Sequence, residues 1–300
     1  MPGKLIVILG PTASGKTDLA IKLATKYGGS VVSADSRQVY KGLDSGSGKI
    51  TKKEMRGVPH YLLDVANPKR KFTVAQYQKL AMVAVKKIQA QGRVPFLVGG
   101  TGFYIQSIVD GIVIPEVKPN WTLREKLSRY QVERLYEMLK KLDPVRARTI
   151  DAKNPRRLIR ALEIVKTTGK PVPQNYHSKR YSVVSGNTVL QIGIKKSPKE
   201  LKGLISKRLN KRIIGMIAEV KKIHAGGLSY KRLEELGLEY RFAAQYVQGK
   251  ITKEEMVKIL EKEIWQYAKR QMTWFKRDKK IHWIATQKEA ATLAKKFLGQ

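Results

Sequence analysis

Cysteine is absent from all 300 residues. That absence excludes disulfides, thiolate zinc sites and a cysteine nucleophile together. Histidine is almost as scarce. His60, His177, His224 and His282 lie far apart and form no ligand-spaced pair, so each reads as a packing or surface residue. No apolar run approaches bilayer-spanning length, and the first one starts at Leu5, with no room before it for a signal peptide. The expected setting is the cytoplasm, with no membrane partner. Low-complexity linkers and internal repeats are also missing. Acidic residues are few: 24 Asp and Glu against 60 Lys and Arg leave a net charge of +36. The surplus is uneven, with 17 basic and 6 acidic residues in 1–110 but 43 and 18 in 111–300. So large a surplus is costly through self-repulsion unless a polyanion compensates it, which points to nucleic acid; Lys-rich solvated helices are the plainer alternative.

Hydrophobic residues make up 42% of the chain, enough for a sizeable core, and the length suits one large domain or two smaller ones. Leu5 to Leu9 is a short, continuous apolar run of the kind buried on both faces of a sheet. A helix is expected from about Lys16 to Tyr27, a second strand at Ser30 to Ala34, an amphipathic helix at Phe72 to Gln91, and a third strand at Pro95 to Val98. Alternating strands and helices argue for an α/β fold with a parallel sheet, whose ligands sit at the carboxyl ends of the strands.

From about Pro115 to Ser185 strand signals vanish and short helices take over. One is well punctuated, with Asn154 as N-cap, Pro155 at the first helical position and Gly169 after the end. The expected organisation is a core of residues 1–114 and 186–300 interrupted by a helical insertion, 115–185. Val189 to Ile194 returns as a strand. Ser197 to Glu200 and Thr252 to Glu255 each read as a capping box, the second opening a helix to about Arg277.

Three segments meet the strand-end rule. The first is GPTASGKT: Gly10, Pro11, Thr12, Ala13, Ser14, Gly15, Lys16 and Thr17. It follows a strand and opens a helix, as a phosphate-binding loop must. Its glycines let backbone N–H groups turn toward anionic oxygens, Lys16 supplies a point charge, and the Thr17 hydroxyl suits Mg²⁺. The second is Asp35, at the end of SVVSA and ahead of the polar cluster Ser36, Arg37, Gln38. The third is Gly99 to Tyr104, a glycine-rich turn carrying Thr101; an ordinary strand-to-helix turn is its bland reading. A triphosphatase would need an acid at a strand end to hold its metal, and Asp35 or Asp64 (in YLLD) could serve, so an ATP-dependent phosphoryl-transfer enzyme stays open.

Basic residues cluster further on. Arg156, Arg157 and Arg160 crowd the start of one helix with no acid until Glu163, which reads as a phosphate-contacting face. The segment Gln266 to Lys280 interleaves Lys and Arg with Tyr267, Trp274 and Phe275, which suits RNA, although Trp274 and Phe275 are better read as a buried face.

Taken together, these stretches resemble the tRNA dimethylallyltransferase (tRNA isopentenyltransferase) family, in its bacterial form. GPTASGKT, SADSRQVYKGLD, GVPHYLLD, LVGGTGFY, the Asp143–Pro144 pair, RRLIRALE and QYAKRQMTWFKRD occur in the family's order and at about its spacing. The resemblance implies a P-loop NTPase-like core, and transfer of a dimethylallyl group from dimethylallyl diphosphate to N6 of the adenosine 3′ of the anticodon, in tRNAs reading codons that begin with U. It implies that Asp35, Thr101, Lys16 and Arg208 carry the chemistry. The loop would hold the donor's diphosphate with Mg²⁺ on Thr17. It carries tRNA contacts onto Asp35 to Gln38, Thr101, Arg124, Arg156 to Arg160, Leu236 to Arg241 and Lys269 to Lys276, including Arg270 and Gln271. The implied partner is the tRNA anticodon stem-loop, approached by a monomer. Base flipping would bring the adenosine to Asp35, with Gln38 as its reader. Two departures stand out: Trp265 where many members carry Arg, and LGLEYR in place of a GYR-type segment.

Overall fold

The computed structural model describes residues 3–115, 117–173 and 188–300. In chain order, β1 (Leu5–Leu9), α1 (Lys16–Lys26), β2 (Gly29–Ala34), α2 (Lys52–Met55), β3 (His60–Tyr61), α3 (Val74–Ala90), β4 (Val94–Gly99) and α4 (Gly102–Val109) come first. Then follow α5 (Trp121–Ser128), α6 (Val132–Leu142), α7 (Pro144–Thr149) and α8 (Pro155–Thr168). β5 (Val189–Ile194), α9 (Pro198–Ala225), α10 (Tyr230–Leu236), α11 (Leu238–Val247), α12 (Lys253–Phe275), β6 (His282–Ile284) and α13 (Gln287–Leu298) complete the chain. The contacts divide it into two compact units, 1–110 with 182–300, and 111–181.

In the first unit six strands form one sheet in the order β3-β2-β4-β1-β5-β6, every pairing parallel. β1 is central and wholly buried, which is why its sequence is uninterrupted Leu, Ile and Val. Its side chains alternate between two cores. Leu5, Val7 and Leu9 join residues from α3, α4, α9, α11 and α12, while Ile6 and Ile8 join α1 and α13. The α/β fold with a P-loop NTPase-like parallel sheet is therefore the observed one.

Several boundaries shift for identifiable reasons. The strand expected third is fourth, because His60–Tyr61 adds a short edge strand beside β2. α3 starts at Val74 because Thr73 and Gln76 form a capping box. Thr252 and Glu255 form the expected box. Ser197 caps α9, but Glu200 turns to Lys196 at 2.6 Å instead of reaching back, so only half of that box exists. β6 carries no readable sequence signal, being three residues long with an exposed start at His282, whereas α13 opens on Thr286 and Glu289 at capping-box spacing, the signal that could have found it. Of the histidines, His60 and His224 bond nearby carbonyls and His282 is exposed, while His177 lies outside the described residues.

The 111–181 unit packs α5 to α8 around Leu127, Leu135, Leu139, Leu158 and Leu162. Asn154, Pro155 and Gly169 bound α8 as expected. Asp143 is buried and accepts N–H groups from Arg146 at 2.9 Å and Val172 at 2.7 Å, so it starts α7 and ties down the chain beyond α8. Glu163 is fully buried and gathers Arg124, Arg160 and the Asn120 N–H at 2.5–2.8 Å. Burial alone would raise its pKa; the hydrogen bonds from Arg124 and Arg160 outweigh that and hold its carboxyl below the usual range. A depressed carboxylate pKa contributes stability above its unfolded value, about 4.3, and that contribution is lost as pH falls through the folded value. Glu163→Ala strands two guanidiniums, and is expected to cost this unit about 3–5 kcal/mol. Faster amide exchange along α5 and α8 at pH 7 checks it; unchanged exchange would remove Glu163 from the account.

Candidate active site

Three strand ends finish level. Leu9 of β1 pairs in register with Gly99 of β4, and Gly99 pairs with Ala34 of β2. The residues that follow them, the glycine-rich loop, Asp35 and Thr101, therefore emerge side by side. Gly99 permits this closeness, because a Cβ there would overlap the backbone of Ala34.

The loop has the conformation its sequence requires. Gly10 and Gly15 adopt φ of 149° and 87°, and Ala13 is left-handed at 61°. Gly15 precedes α1 without a capping side chain, which leaves the helix N-terminus to an anion. The Ser14 hydroxyl is buried with no hydrogen-bond partner among the described residues. Lys16 Nζ donates to the Pro11 carbonyl at 2.6 Å. Burial, then the neighbouring Arg208, push its pKa down to about 7 against the raising effect of Asp35. A bound phosphate would restore full charge. Thr17 is exposed on the first turn of α1.

Asp35 Oδ1 accepts the N–H groups of Arg37 at 2.8 Å and Gln38 at 3.3 Å, which locks the carboxylate in a tight turn. Thr101 Oγ1 accepts the Ser36 N–H at 3.1 Å, and the Thr101 N–H donates to Ala34 at 3.1 Å. Tyr267 also hydrogen-bonds the Thr101 side chain, and burial raises its phenol above the ordinary range. Arg208 reaches Thr12 Oγ1 at 3.4 Å and the Gly48 carbonyl at 3.2 Å. Lys16, Asp35, Thr101 and Arg208 are thus brought together. Beside the loop, Ile205, Leu209 and Met216 line a small pocket whose polar side holds Arg208, Arg212 and the Glu239 carboxyl.

The structure places the other expected site residues as follows. Gln271, expected on the RNA side, is buried; it accepts the Thr12 N–H at 2.9 Å and donates to the Gly100 carbonyl at 2.8 Å. It clamps the phosphate loop to the Thr101 turn. Arg124 and Arg160 are committed to Glu163, so the open basic face of α8 narrows to the exposed Arg156 and Arg157. Asp64 is not a strand-end acid: the chain leaves β3 at Tyr61, and Asp64 sits 2.6 Å from Lys49 with left-handed φ. Lys269, Arg270 and Arg241 are exposed, Arg241 with Nε 3.2 Å from the Glu234 carbonyl. Phe275 is buried, whereas Trp274 is half-buried against Phe103 and Arg277. Trp265 has the ammonium groups of Lys202 and Lys269 over its ring, at 5.1 and 5.9 Å from the centroid. Sequence reasoning missed Arg212 and Glu219, which share a helical face with Arg208, and that spacing was the available signal.

Residues 38–278 match the family model described as IPP transferase. The chain belongs to the IPP transferase family. Its relatives in the family include the tRNA dimethylallyltransferase of Carboxydothermus hydrogenoformans, 39% identical over 97% of this chain and 94% of that one. The tRNA dimethylallyltransferase of Anoxybacillus flavithermus is 38% identical over 95% and 91%. Among solved structures of the family, the full-length tRNA isopentenylpyrophosphate transferase of Bacillus halodurans superposes with a TM-score of 0.71 at 34% identity, covering 99% of this chain and 98% of its own. A eukaryotic dimethylallyltransferase acting on tRNA gives 0.76 at 26% identity over 91% of this chain and 69% of its own.

Gln271→Leu removes the side-chain partner of the part-buried Thr12 N–H and of the buried Gly100 carbonyl. The expected loss is about 1–3 kcal/mol in urea unfolding, with weaker pyrophosphate binding by calorimetry. Wild-type values for both would show that the clamp carries no strain.

Proposed function

We propose that the protein transfers a dimethylallyl group from dimethylallyl diphosphate to N6 of the adenosine 3′ of the anticodon, in tRNAs that read codons beginning with U. The observation that carries this reading is the convergence of a phosphate loop, with Lys16 and Arg208, upon a carboxylate held at the next strand end, Asp35. The loop amides, Lys16 and Arg208 would take the diphosphate, whose charge grows as the allylic C–O bond breaks; stabilising that growth is where binding best becomes catalysis. The adenine amine attacks the allylic carbon as diphosphate departs with the bonding pair, and the surplus N6 proton passes to Asp35. With Oδ1 taken by two backbone N–H groups, the other carboxylate oxygen is the one offered to the amine.

The donor set for Mg²⁺ is lean. The described residues contain no cluster of three His, Asp or Glu, so the ion would rest on the Thr17 hydroxyl, diphosphate oxygens and water, all hard oxygen ligands that it accepts. When bound, it would neutralise part of the leaving group's charge. Exposed Arg156, Arg157, Arg241, Lys269 and Arg270 are the cations offered to the RNA backbone. The form proposed to act is a monomer. No helix among the described residues is long and apolar enough to cross a membrane, in keeping with a cytoplasmic RNA enzyme.

The test is radiolabel transfer from dimethylallyl diphosphate to an unmodified anticodon stem-loop, with Mg²⁺ and without ATP. Label should enter the RNA, and Asp35→Ala should abolish it while stem-loop binding persists. No label, with ATP hydrolysed in a parallel reaction, would replace this reading with a phosphoryl-transfer enzyme.

A further inference from the structure

Arg208, Arg212, Gly215 and Glu219 recur along one face of α9, and that face grips the loop from Asp44 to Gly48. The Glu219 carboxylate accepts three successive backbone N–H groups, Asp44 at 2.8 Å, Ser45 at 2.6 Å and Gly46 at 3.1 Å. Such a run of N–H groups is an anion nest, here filled by a side chain. The Tyr240 hydroxyl donates to Glu219 at 2.7 Å and accepts the Ser47 N–H at 3.0 Å. Arg212 takes the opposite side of the loop, donating to the carbonyls of Ser45 and Gly46. Gly215 lets the loop approach, since a Cβ there would lie 2.9 Å from Ser45 Oγ.

The loop ends in a carbonyl with two clients. Gly48 O accepts from Arg208 at 3.2 Å and from the Gln38 amide at 3.3 Å. Arg208 belongs to the phosphate side, through Thr12. Gln38 belongs to the base side, one turn beyond Asp35, and its Oε1 accepts the Ser33 hydroxyl at 3.2 Å. A primary amide has two donor hydrogens and two acceptor lone pairs. Gln38 is thus oriented at both ends yet keeps one donor and one acceptor, the pair that an adenine edge requires. Gly48 has φ 61°, and a Cβ there would run into the guanidinium groups of Arg208 and Arg212.

We propose that the Asp44–Gly48 loop, anchored on Glu219, is a positioning element whose Gly48 carbonyl sets Arg208 against the donor diphosphate and Gln38 against the acceptor base together. This rests on the function proposed above. The loop touches no reacting atom; it acts through the two side chains. Because both share one acceptor, a shift of the loop weakens both substrates, and occupancy of one site is linked to affinity at the other.

The test compares Gly48→Ala, Glu219→Gln and Tyr240→Phe with the wild-type chain. Pyrophosphate binding is read by calorimetry, and KM for donor and for an unmodified anticodon stem-loop by label transfer. Expected for Gly48→Ala and Glu219→Gln is about a tenfold rise in the pyrophosphate Kd and in the stem-loop KM, the scale of one hydrogen bond to a charged group. Tyr240→Phe should show the same pattern more weakly. A loop that only supports the fold would lower the melting temperature while leaving both constants unchanged in the folded protein, and that result overturns the proposal. So does a change confined to one substrate. If Glu219→Gln does not fold, the other two variants decide. Absence of label with the wild-type chain would defeat the proposed function instead, and pyrophosphate binding would still report on the loop.

Discussion

The level finish of β1, β4 and β2 is the constraint on which the rest depends. Three parallel strands ending in register place three loops within side-chain reach of one another, and the Gly99 contact with Ala34 leaves no room for slack. Register of this kind is secured by burial. A slip by one residue would turn Leu5, Val7 and Leu9 into the core built for Ile6 and Ile8, and the reverse. Positioning at the crevice is therefore maintained by apolar packing well below it.

A second principle is that polar side chains near the crevice are held by backbone groups more than by one another. Gln271 joins two glycine-rich turns, Asp35 is fixed by two amides of its own turn, and Glu219 fills a nest of three. Backbone partners move only with whole segments, so these contacts give rigidity without demanding charge balance. That matters where Lys16, Arg208 and Arg212 crowd together: burial and mutual repulsion depress Lys16 and Arg212, and an arriving anion relieves both. The cation cluster is thus poised for an anionic ligand.

The phosphate loop, Asp35 and Thr101 were legible because each is a local pattern: a strand, then the residues that must follow it. Capping signals at Asn154 and Thr252 were legible for the same reason. The basic residues were not. Nothing local along the chain reveals that Arg124 and Arg160 both pair with buried Glu163, because no local rule says that this acid turns inward. The Gln271 clamp was not legible for the same reason, since its partners are 171 and 259 residues distant. β6 escaped notice because three residues with one exposed end carry no periodicity.

By itself, then, the amino-acid order determined the alternation of strands and helices, the glycine-rich loop after β1 and the acid after β2, because those depend on neighbours within a few residues. Tertiary structure alone decided which cations remain free, which carboxylates are spent on the fold, and that Arg208 and Gln38 meet at one carbonyl. Charge type is written in the sequence, but a charge's partner is set by burial and distance between segments far apart in the chain. The sixty basic residues acquire distinct roles only after folding has assigned some of them to Glu163, Asp64, the loop held by Glu219 and the pocket beside Thr12, and left others on the surface.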